Sequence, residues 1–220
     1  MKNLKTILIG NIIYIVILII IFGVGTFYPN FYTLGKIEHK IELRYIQEAK
    51  DIGLYEPEFE YENKAQFLKK LETCINFLNF SLHKSERIPK EIIIAQAVLE
   101  SNYGTSRFAV EGNNLFGIRT WNLKEKHIKP FNSKDSTFGV KVFNTKCECV
   151  KYYINILNTQ KVFLDFRRKR ALMITQNNMD PLILVNYLSK FATDVDYVKK
   201  VKATILKLRN ERVQNTNWGM

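Results

Sequence analysis

The stretch IPKEIIIAQAVLES, residues 88–101, decides the fold because it predicts a helix that is apolar on nearly all sides. Pro89 occupies a first-turn position, where proline is tolerated, and Gly104 follows closely as a stop signal. Between its first and last turns the helix holds one polar side chain, Gln96, and its last turn holds one carboxylate, Glu100. Because a helix that is hydrophobic all round is typical of a core, we predict that this one lies at the centre of its domain.

Glu100 is the residue with the strongest chemical signal. A carboxylate at the C-terminal end of a helix meets the negative pole of the helix dipole, and apolar neighbours remove water from it. Both effects disfavour ionisation, so we predict that Glu100 keeps its proton to a higher pH than a free glutamate. Beside a cleft, such a group meets the requirement for a general acid in glycosidic cleavage. The alternative is a solvated glutamate at a frayed helix end.

Helical patterns also dominate the chain on both sides of this stretch. Residues 63–82 form a clear amphipathic pattern, and helical patterns return over residues 144–175, 181–190 and 194–210. Short alternation of the β type occurs within residues 118–143. The predicted fold class is therefore mainly α, with a small β-hairpin lobe.

The N-terminus carries an apolar run that is long enough to cross a bilayer. No charged residue occurs from Thr6 to Gly35, and residues 7–27 are almost wholly apolar. At ~1.5 Å per residue, such a helix spans the ~30 Å hydrocarbon layer. We favour an uncleaved anchor over a cleaved signal peptide, because the run exceeds a usual signal core. Either interpretation places most of the chain outside the cytoplasm.

These patterns divide the chain into three predicted segments. Residues 1–27 are the membrane anchor or signal segment, and residues 28–60 are a stalk or helical linker. Residues 61–212 are the predicted folded domain, and the clear amphipathic helix over residues 63–82 lies at its start.

The formal net charge of +12 fits either a solvated basic surface or an anionic partner. Because the N-terminal run directs the chain out of the cytoplasm, we predict no nucleic-acid partner. The basic run RRKR, residues 167–170, is predicted to be a solvated helix face. Its second interpretation is contact with anionic wall polymer or lipid headgroups. The oligomeric state stays open on the sequence.

The chain contains three cysteines, Cys74, Cys147 and Cys149. An odd number does not form a disulfide framework, and no histidine stands near them in the sequence. Cys147 and Cys149 lie two apart on a predicted helix, so they point to nearly opposite sides. We therefore predict buried thiols, with no metal site and no cofactor. A bridge from Cys74 to one of the other two stays open.

Two blocks of the sequence resemble the bacterial cell-wall glucosaminidases with a lysozyme-like fold. The first, IPKEIIIAQAVLESNYGTSRFAVEGNNLFGI over residues 88–118, matches the family's AQAxLESxxGxS helix and the turn after it. The second, YINILNTQKVFLDFRRKRA over residues 153–171, is similar to the Bax-like branch. The resemblance identifies residues 61–212 as a glucosaminidase-like domain. It implies endo-type cleavage of β-1,4 bonds in peptidoglycan glycan strands after N-acetylglucosamine.

The same resemblance assigns candidate site residues. Glu100 matches the family's general acid, and Asn113, Asn114 and Phe116 lie in the GNNLFG turn, residues 112–117. Asn and Gly suit such a turn because they tolerate left-handed backbone angles. The resemblance implies that Asn114 reaches an acetamido group and that Phe116 stacks on a sugar face. The alternatives are hairpin geometry for the asparagines and core packing for Phe116.

Three further residues complete the predicted substrate-binding set. Tyr103 and Tyr197 match aromatic positions near the cleft of the family. Gln96 precedes Glu100 by four residues and therefore shares its helix face. Core packing is the alternative for Tyr197, which shares a predicted helix with Val201.

The sequence departs from the family pattern in two places. Phe191 in SKFATDVDY, residues 189–197, stands where many relatives have a tyrosine, so that hydroxyl is missing. Many relatives also have a second carboxylate in the hairpin lobe, where this chain offers Glu125 and Asp135 outside a clear motif. The second catalytic group is therefore Glu125, Asp135 or the acetamido oxygen of the substrate, an established exception to the two-carboxylate scheme.

Three functions stay open on the sequence. A hydrolase transfers the cleaved sugar to water, whereas a lytic transglycosylase on the same scaffold uses the sugar's own hydroxyl. The missing hydroxyl and the unassigned second group also permit a catalytically degenerate module that only binds glycan or a partner. We predict the hydrolase, which acts on peptidoglycan strands and is held at the membrane by residues 7–27.

Overall fold

The computed structural model describes residues 2–27, 31–129 and 137–217. The chain divides into two compact units, Met1–Glu48 and Ala49–Met220. The border between the units therefore precedes residue 61, at which the sequence predicts that the folded domain begins.

The first unit contains helix α1, Lys2–Phe27, and most of helix α2, Phe31–Asp51. The segment Ile7–Thr26 of α1 has a mean hydropathy of 3.0, and none of it is buried. By length and composition this helix is able to cross a membrane, and a signal sequence near an N-terminus has the same properties. The predicted long apolar helix is thus confirmed, and its use as an anchor stays a prediction.

The second unit is mainly helical, and one hydrophobic core runs through it. Its α-helices within the described residues are α3 Lys64–Ser81, α4 Lys90–Ser101, α5 Arg107–Gly112, α6 Lys146–Thr159, α7 Leu164–Thr175, α8 Pro181–Leu184 and α9 Tyr197–Asn217. Two 3₁₀ turns, Lys161–Phe163 and Val185–Leu188, connect some of these helices. The predicted fold class, mainly α with a small β lobe, is confirmed.

Helix α4 lies at the centre of this core, as the sequence predicts. Ile92, Ile93 and Ala95 are fully buried, and α4 packs against α3 and, over a longer contact, against α9. Burial of each isoleucine side chain contributes about 1.5–3 kcal/mol to folding. The helix ends at Ser101 because Asn102 adopts a left-handed backbone conformation with a φ of 49°.

The β lobe is a three-stranded antiparallel sheet in the order β1-β3-β2. Val140 in the central strand pairs with Arg119 on one side and with Ile128 on the other. A Cβ atom at Gly139 would lie 2.5 Å from the ring of His127, so this close approach requires glycine. The strands are β1 Arg119–Thr120, β2 His127–Ile128 and β3 Gly139–Lys141.

The helix predicted over residues 144–175 is interrupted in the structure. Helix α6 ends at Thr159 because Gln160 is extended, with a φ of −67° and a ψ of 136°. The guanidinium of Arg167 donates hydrogen bonds to the carbonyl oxygens of Leu157 and Gln160, at 3.1 and 2.8 Å, and so satisfies the end of α6. The basic run therefore also has a structural role, which a solvated face does not describe.

The two later helices also differ from their predicted bounds. The helix predicted over residues 181–190 is the short α8 followed by a 3₁₀ turn. The last helix begins at Tyr197 instead of Asp194, and it extends past residue 210 to Asn217. Asp194 caps the preceding turn, because its Oδ1 accepts a hydrogen bond from the backbone N–H of Asp196 at 2.9 Å.

Two of the three cysteines form a disulfide, so the expectation of three thiols is wrong for this pair. Cys74 on α3 is bonded to Cys147 on α6, with their Cα atoms 5.7 Å apart. The two helices pack side by side and both positions face the core, which the spacing in the sequence does not reveal. Closure of a loop of this length contributes about 4 kcal/mol to folding. Cys149 is a buried free thiol, and burial raises its pKa to about 12.

Candidate active site

Glu100 lies at the wall of an open cleft with a volume of ≈ 890 Å³. One side of this cleft is the lobe segment Phe116–Arg119 together with Trp121, and the other side includes the loop Ser189–Val195. The last turn of α4 carries Glu100 into the cleft between them, and its side chain is half-buried. The described residues that line the cleft are Glu100, Phe116, Gly117, Ile118, Arg119, Trp121, Ile156, Gln160, Val162, Phe163, Ser189, Lys190, Phe191, Ala192, Thr193, Asp194, Val195, Tyr197 and Val198.

The backbone directly after Glu100 forms an unusual turn that fixes the end of the helix. Asn102, Tyr103 and Gly104 all adopt left-handed φ values, of 49°, 58° and 76°. The hydroxyl of Ser101 donates to the carbonyl oxygen of Ala97 at 2.5 Å, and it accepts from the N–H of Gly104 at 2.8 Å. Because strained residues of this kind persist only where their surroundings hold them, this turn is a sign of a constrained site.

Tyr61 holds this turn from the opposite side. Its hydroxyl donates to the carbonyl oxygen of Gly104 at 2.7 Å, and its ring makes an edge contact with Phe67 at 5.1 Å between centroids. A Cβ atom at position 104 would lie 2.2 Å from that hydroxyl oxygen, so the turn accepts no other residue without displacement of Tyr61. The end of the helix that carries Glu100 is therefore locked in place.

Burial raises the pKa of Glu100 above its ordinary range, in the direction that the sequence predicts. A hydrogen bond from the Tyr197 hydroxyl opposes this shift, since it favours the ionised carboxylate. The net effect is a raised pKa, so burial is the stronger of the two. A carboxyl group with such a balance holds a proton at a pH where exposed glutamates have lost theirs.

A buried chain of polar side chains stands behind Glu100. Gln96 is 0% exposed, and its Nε2 donates to the hydroxyl oxygen of Tyr197 at 2.6 Å. The hydroxyl of Tyr153 donates to Oε1 of Gln96. Burial raises the pKa of Tyr153 and of Tyr197, so both phenols keep their protons. Tyr197 lines the cleft, whereas Gln96 and Tyr153 lie outside the set of residues that line it.

The two asparagines of the GNNLFG turn form hydrogen bonds within the lobe, whereas Phe116 and Gly117 of the same turn line the cleft. Asn114 is buried, its Nδ2 donates to the carbonyl oxygens of Ile118 and Lys141, and its Oδ1 accepts from the N–H of Ile118 at 3.0 Å. Asn113, with a φ of 52°, donates to the carbonyl oxygen of Phe143 at 3.1 Å. These bonds tie the lobe together, and neither asparagine is among the residues that line the cleft.

Phe116 borders the cleft but is only 2% exposed. Its ring stacks on Tyr153 with a centroid distance of 4.1 Å and an angle of 13°. Phe191, which replaces the tyrosine of many relatives, stacks on Tyr197 at 5.8 Å and meets Tyr153 edge-on at 5.6 Å. Phe116 and Phe191 therefore pack against the rings of the two tyrosines whose hydroxyls belong to the polar chain behind Glu100.

Tyr103 faces a different pocket. That pocket has a volume of ≈ 350 Å³ and lies against α4, α9 and the start of α3, where Glu91 and Arg209 form an ion pair at 2.6 Å. The ammonium of Lys64 lies 4.8 Å from the centroid of the Tyr103 ring. The structure therefore does not bring Tyr103 to the cleft of Glu100.

The acids considered as a second catalytic group have different positions. Glu125 in the lobe is held by Lys141 at 2.5 Å, which lowers the pKa of its carboxyl, and it is not among the residues that line the cleft. Asp135 lies outside the described residues. Asp194, which the sequence pattern predicts only as the start of a helix, lines the cleft, and its bond with Lys200 lowers its pKa.

Three cleft residues carry no motif and were missed on the sequence. Trp121 is 69% exposed and its ring lies 6.4 Å from that of Phe138, at the edge of the lobe. The guanidinium of Arg119 lies over the ring of Phe138 at 4.5 Å. Lys190, on the opposite side, has no ion-pair partner among the residues that the structure describes. The exposure of Trp121 follows from the fold, so the sequence carries no signal that marks this residue.

A family model described as mannosyl-glycoprotein endo-beta-N-acetylglucosaminidase matches residues 80–210, more than half of the chain. The chain belongs to this glucosaminidase family. The match contains α4 with Glu100, the β lobe and most of α9, so it covers both sides of the cleft. The resemblance of the sequence to the glucosaminidases is thereby confirmed.

Two curated relatives are similar to parts of this chain. Protein bax of Escherichia coli (strain K12) is 32% identical over 93 residues, which are 42% of this chain and 32% of that protein. Exo-glucosaminidase LytG of Bacillus subtilis (strain 168) is 25% identical over 141 residues, which are 62% of this chain and 50% of that protein. The chain thus spans half or less of the length of these relatives.

A solved structure shows the same fold. The crystal structure of the catalytic domain of the autolysin Auto from Listeria monocytogenes matches 74% of this chain and 93% of that domain, with a TM-score of 0.51. The sequence identity is 21%, so this match concerns the fold alone.

Proposed function

We propose that this glucosaminidase is a peptidoglycan hydrolase that cleaves β-1,4 bonds of the glycan strand as an endo-β-N-acetylglucosaminidase. The observation that carries the proposal is Glu100 itself, a half-buried carboxyl with a raised pKa at the wall of an open cleft. The family model, which is described as an endo-beta-N-acetylglucosaminidase, supports endo over exo cleavage. The family match and the relative that is named as an exo-glucosaminidase support cleavage of a glycosidic bond of N-acetylglucosamine.

Glu100 acts as the general acid in this proposal. Its carboxyl proton passes to the bridging oxygen as the bond between that oxygen and the anomeric carbon breaks. The leaving sugar departs with a free hydroxyl, and Glu100 becomes a carboxylate. A water molecule then adds to the anomeric carbon and returns one proton to Glu100, so that the enzyme regains its starting state.

The substrate's own acetamido oxygen is the proposed second group. Asp194 lines the cleft, but its Oδ1 accepts from the Asp196 backbone and its Oδ2 accepts from Lys200, so both oxygens already have partners. Glu125 is bound to Lys141 outside the cleft lining. The acetamido oxygen displaces the protonated bridging oxygen at the anomeric carbon, and the bond so formed breaks when water adds to the same carbon. This route requires neither carboxylate and is an established exception among glycosidases.

The sides of the cleft fit an anionic sugar polymer. The exposed ring of Trp121 offers a flat apolar surface of the kind on which sugar faces stack. Arg119 and Lys190 place positive charge on opposite sides, and the wall polymer carries carboxylates. We include Phe116 and Tyr197 as further contacts, since both border the cleft, whereas Asn113 and Asn114 support the lobe that carries Trp121.

The proposed location is the outer face of a membrane, with α1 as the anchor. The segment Ile7–Thr26 has the length and hydropathy of a membrane span. The disulfide between Cys74 and Cys147 independently supports a compartment outside the cytoplasm, because cytosolic thiols are kept reduced.

End-group analysis of digested glycan tests the proposal. The full chain in detergent is incubated with purified peptidoglycan, and the products are reduced and analysed by mass spectrometry, with Glu100→Gln as the blank. We expect internal cuts with reducing N-acetylglucosamine ends. Anhydro-muramyl ends would instead identify a lytic transglycosylase, removal of single terminal sugars would identify an exo enzyme, and binding without turnover would identify a degenerate module.

A further inference from the structure

The buried polar chain behind Glu100 joins three helices that are far apart in the sequence. Tyr153 comes from α6, Gln96 from α4 and Tyr197 from α9, and Gln96 is separated from them by 57 and 101 residues. Tyr197 and Glu100 both line the cleft, and the Tyr197 hydroxyl lowers the pKa of the Glu100 carboxyl as a hydrogen-bond donor does. A polar chain buried in a core is costly unless every member is satisfied, so its presence requires an explanation.

The donors in this chain all point the same way. An amide nitrogen only donates, so the bond from Nε2 of Gln96 makes the Tyr197 oxygen an acceptor. The proton of Tyr197 is then free to be donated to Glu100. Tyr153 fixes the amide in this orientation, because its hydroxyl donates to Oε1 of Gln96 and leaves Nε2 on the side of Tyr197.

We propose that Tyr153 and Gln96 are positioning residues, which orient the Tyr197 hydroxyl so that it donates a hydrogen bond to the carboxylate that Glu100 becomes during bond cleavage. The inference rests on the proposed role of Glu100 as general acid. Negative charge develops on that carboxyl as its proton leaves, and a pre-oriented donor stabilises this charge more than it stabilises the neutral acid. Each bond that polarises the next strengthens the last donor.

Tyr197 keeps its proton throughout this step. Burial and the neighbouring carboxylate raise the pKa of Tyr197, so it donates a hydrogen bond without transfer of its proton. The charged and titratable groups around Glu100 are Tyr197 on α9, Tyr153 on α6, Arg119 on the lobe, and Lys190 and Asp194 on the cleft loop. Groups of both charge signs therefore act on Glu100 together with the buried hydrogen-bond chain. The effect of the hydrogen-bond chain has to be measured by removal of single hydroxyls.

The pH dependence of kcat/KM tests the proposal in the full chain. In Tyr197→Phe the carboxylate loses its donor, so the ionised form becomes less favourable and the pKa of Glu100 rises further. The alkaline limb, on which the acid loses its proton, should move to higher pH. At the optimum kcat should fall about 10- to 100-fold, the value of one hydrogen bond to a charged group.

Tyr153→Phe separates orientation from direct contact, because Tyr153 does not touch Glu100 through a hydrogen bond in the described structure. We expect the same direction of shift with a smaller fall in kcat, between about 2- and 10-fold. Tyr152→Phe is the matched control, since this neighbour on α6 is exposed, and its pH profile should equal that of the wild type. Thermal unfolding of each variant shows that the fold persists.

The inference fails if Tyr153→Phe leaves both kcat and the alkaline limb unchanged, or if Tyr197→Phe lowers kcat without any shift of that limb. Titration of Glu100 by NMR, with ¹³C-labelled glutamate and assignment through Glu100→Gln, gives a readout that is independent of turnover. A protein without hydrolase activity whose Glu100 titration still shifts in Tyr197→Phe would refute the proposed function and leave the hydrogen-bond chain standing. An unshifted Glu100 titration in Tyr197→Phe, in an active enzyme, would refute the hydrogen-bond chain and leave the proposed function standing.

Discussion

Glu91 and Glu100 lie on the same helix, nine residues apart, and their environments shift their pKa values in opposite directions. Glu91 in the first turn of α4 receives two hydrogen bonds from Arg209, at 2.8 and 2.6 Å, and these lower its pKa. Glu100 in the last turn receives a bond from the neutral hydroxyl of Tyr197, and burial raises its pKa. The difference teaches that the hydrogen-bond partner decides the direction of the pKa shift. A guanidinium compensates fully for the hydration that the carboxylate loses on burial, whereas a neutral phenol compensates for only part of it.

The two pockets at the ends of α4 differ for the same reason. The pocket beside Glu91 has paired charges, since Arg209 and Arg212 form ion pairs with Glu91 and Glu72. The cleft beside Glu100 leaves its carboxyl without a cationic partner among the described residues. The first arrangement is that of a structural ion-pair network, and the second fits the proton donor that we propose.

The largest expected effect comes from removal of the two carboxyls in turn. Glu100→Gln should lower kcat by about 10²- to 10⁴-fold, because a positioned general acid contributes that much. Glu91→Gln should keep kcat within a factor of about two, since it lies in the other pocket. Release of reducing ends from purified peptidoglycan measures both variants, and equal activity of Glu100→Gln and wild type would remove Glu100 from the mechanism.

Gly104→Ala should act on Glu100 and leave Glu91 in place. The new Cβ would meet the Tyr61 hydroxyl at 2.2 Å and force the turn after Glu100 to move. Displacement of the acid by about 1 Å is expected to cost about 10²-fold in kcat. Gly53→Ala is the matched control, because the φ of 75° at this position is as unfavourable for alanine as that of Gly104. An added Cβ there would meet no atom within 4 Å. Similar kcat losses in both variants would show that strain alone is responsible.

Trp121→Ala tests whether the cleft of Glu100 is the one that binds glycan. Loss of a stacked aromatic face should raise KM for glycan strands about 10-fold, with little change of kcat. Tyr55→Ala removes an exposed ring that is not among the residues of the cleft, and it should leave KM unchanged. Steady-state kinetics on solubilised strands give both constants, and an unchanged KM in Trp121→Ala would place sugar binding elsewhere.

The smallest expected effect is a difference in the pH dependence of stability. Because the pKa of Glu91 is lower in the folded state than in the unfolded state, ionised Glu91 stabilises the fold at pH values above its unfolded-state pKa. This contribution disappears as the pH falls through the folded-state pKa. Glu91→Gln should therefore lose up to about 1 kcal/mol at pH 7 and nothing in acid. The raised pKa of Glu100 gives the opposite pH dependence of stability. Its stabilising contribution is present at pH values below the unfolded-state pKa and is lost as the pH rises through the folded-state pKa.

Urea unfolding of the two glutamine variants at pH 7 and in acid measures this difference. Relative to the wild type at neutral pH, Glu91→Gln should be less stable and Glu100→Gln more stable. Destabilisation by both variants at neutral pH would mean that Glu100 has a cationic partner, and the contrast between the two ends of α4 would then be lost.

Local patterns in the sequence predicted α4, the apolar α1 and the raised pKa of Glu100, because these depend on residues within a few turns. The partners of Glu100 depend on tertiary structure. The chain from Tyr153 through Gln96 to Tyr197 joins three helices, and nothing in the local pattern specifies it. For the same reason the sequence left the partner of Cys74 open.

The candidate site was predicted in part. Phe116 and Tyr197 border the cleft, as the resemblance implies, while Tyr103, which lies in the left-handed turn after Glu100, lines the other pocket. Trp121 was missed because a lone exposed aromatic after a short strand carries no periodic signal. The break at Gln160 depends on capping by a residue of the next helix, Arg167, which helix propensity does not describe.

The central claim is that burial without a cationic partner keeps Glu100 protonated for its role as acid. Titration of the ¹³C-labelled carboxyls in the full chain, with Glu91→Gln and Glu100→Gln to assign the two signals, measures this directly. The account predicts that Glu100 titrates above the ordinary glutamate value of about 4.3 and that Glu91 titrates below it. Coincident titration of both carboxyls near that value would contradict it.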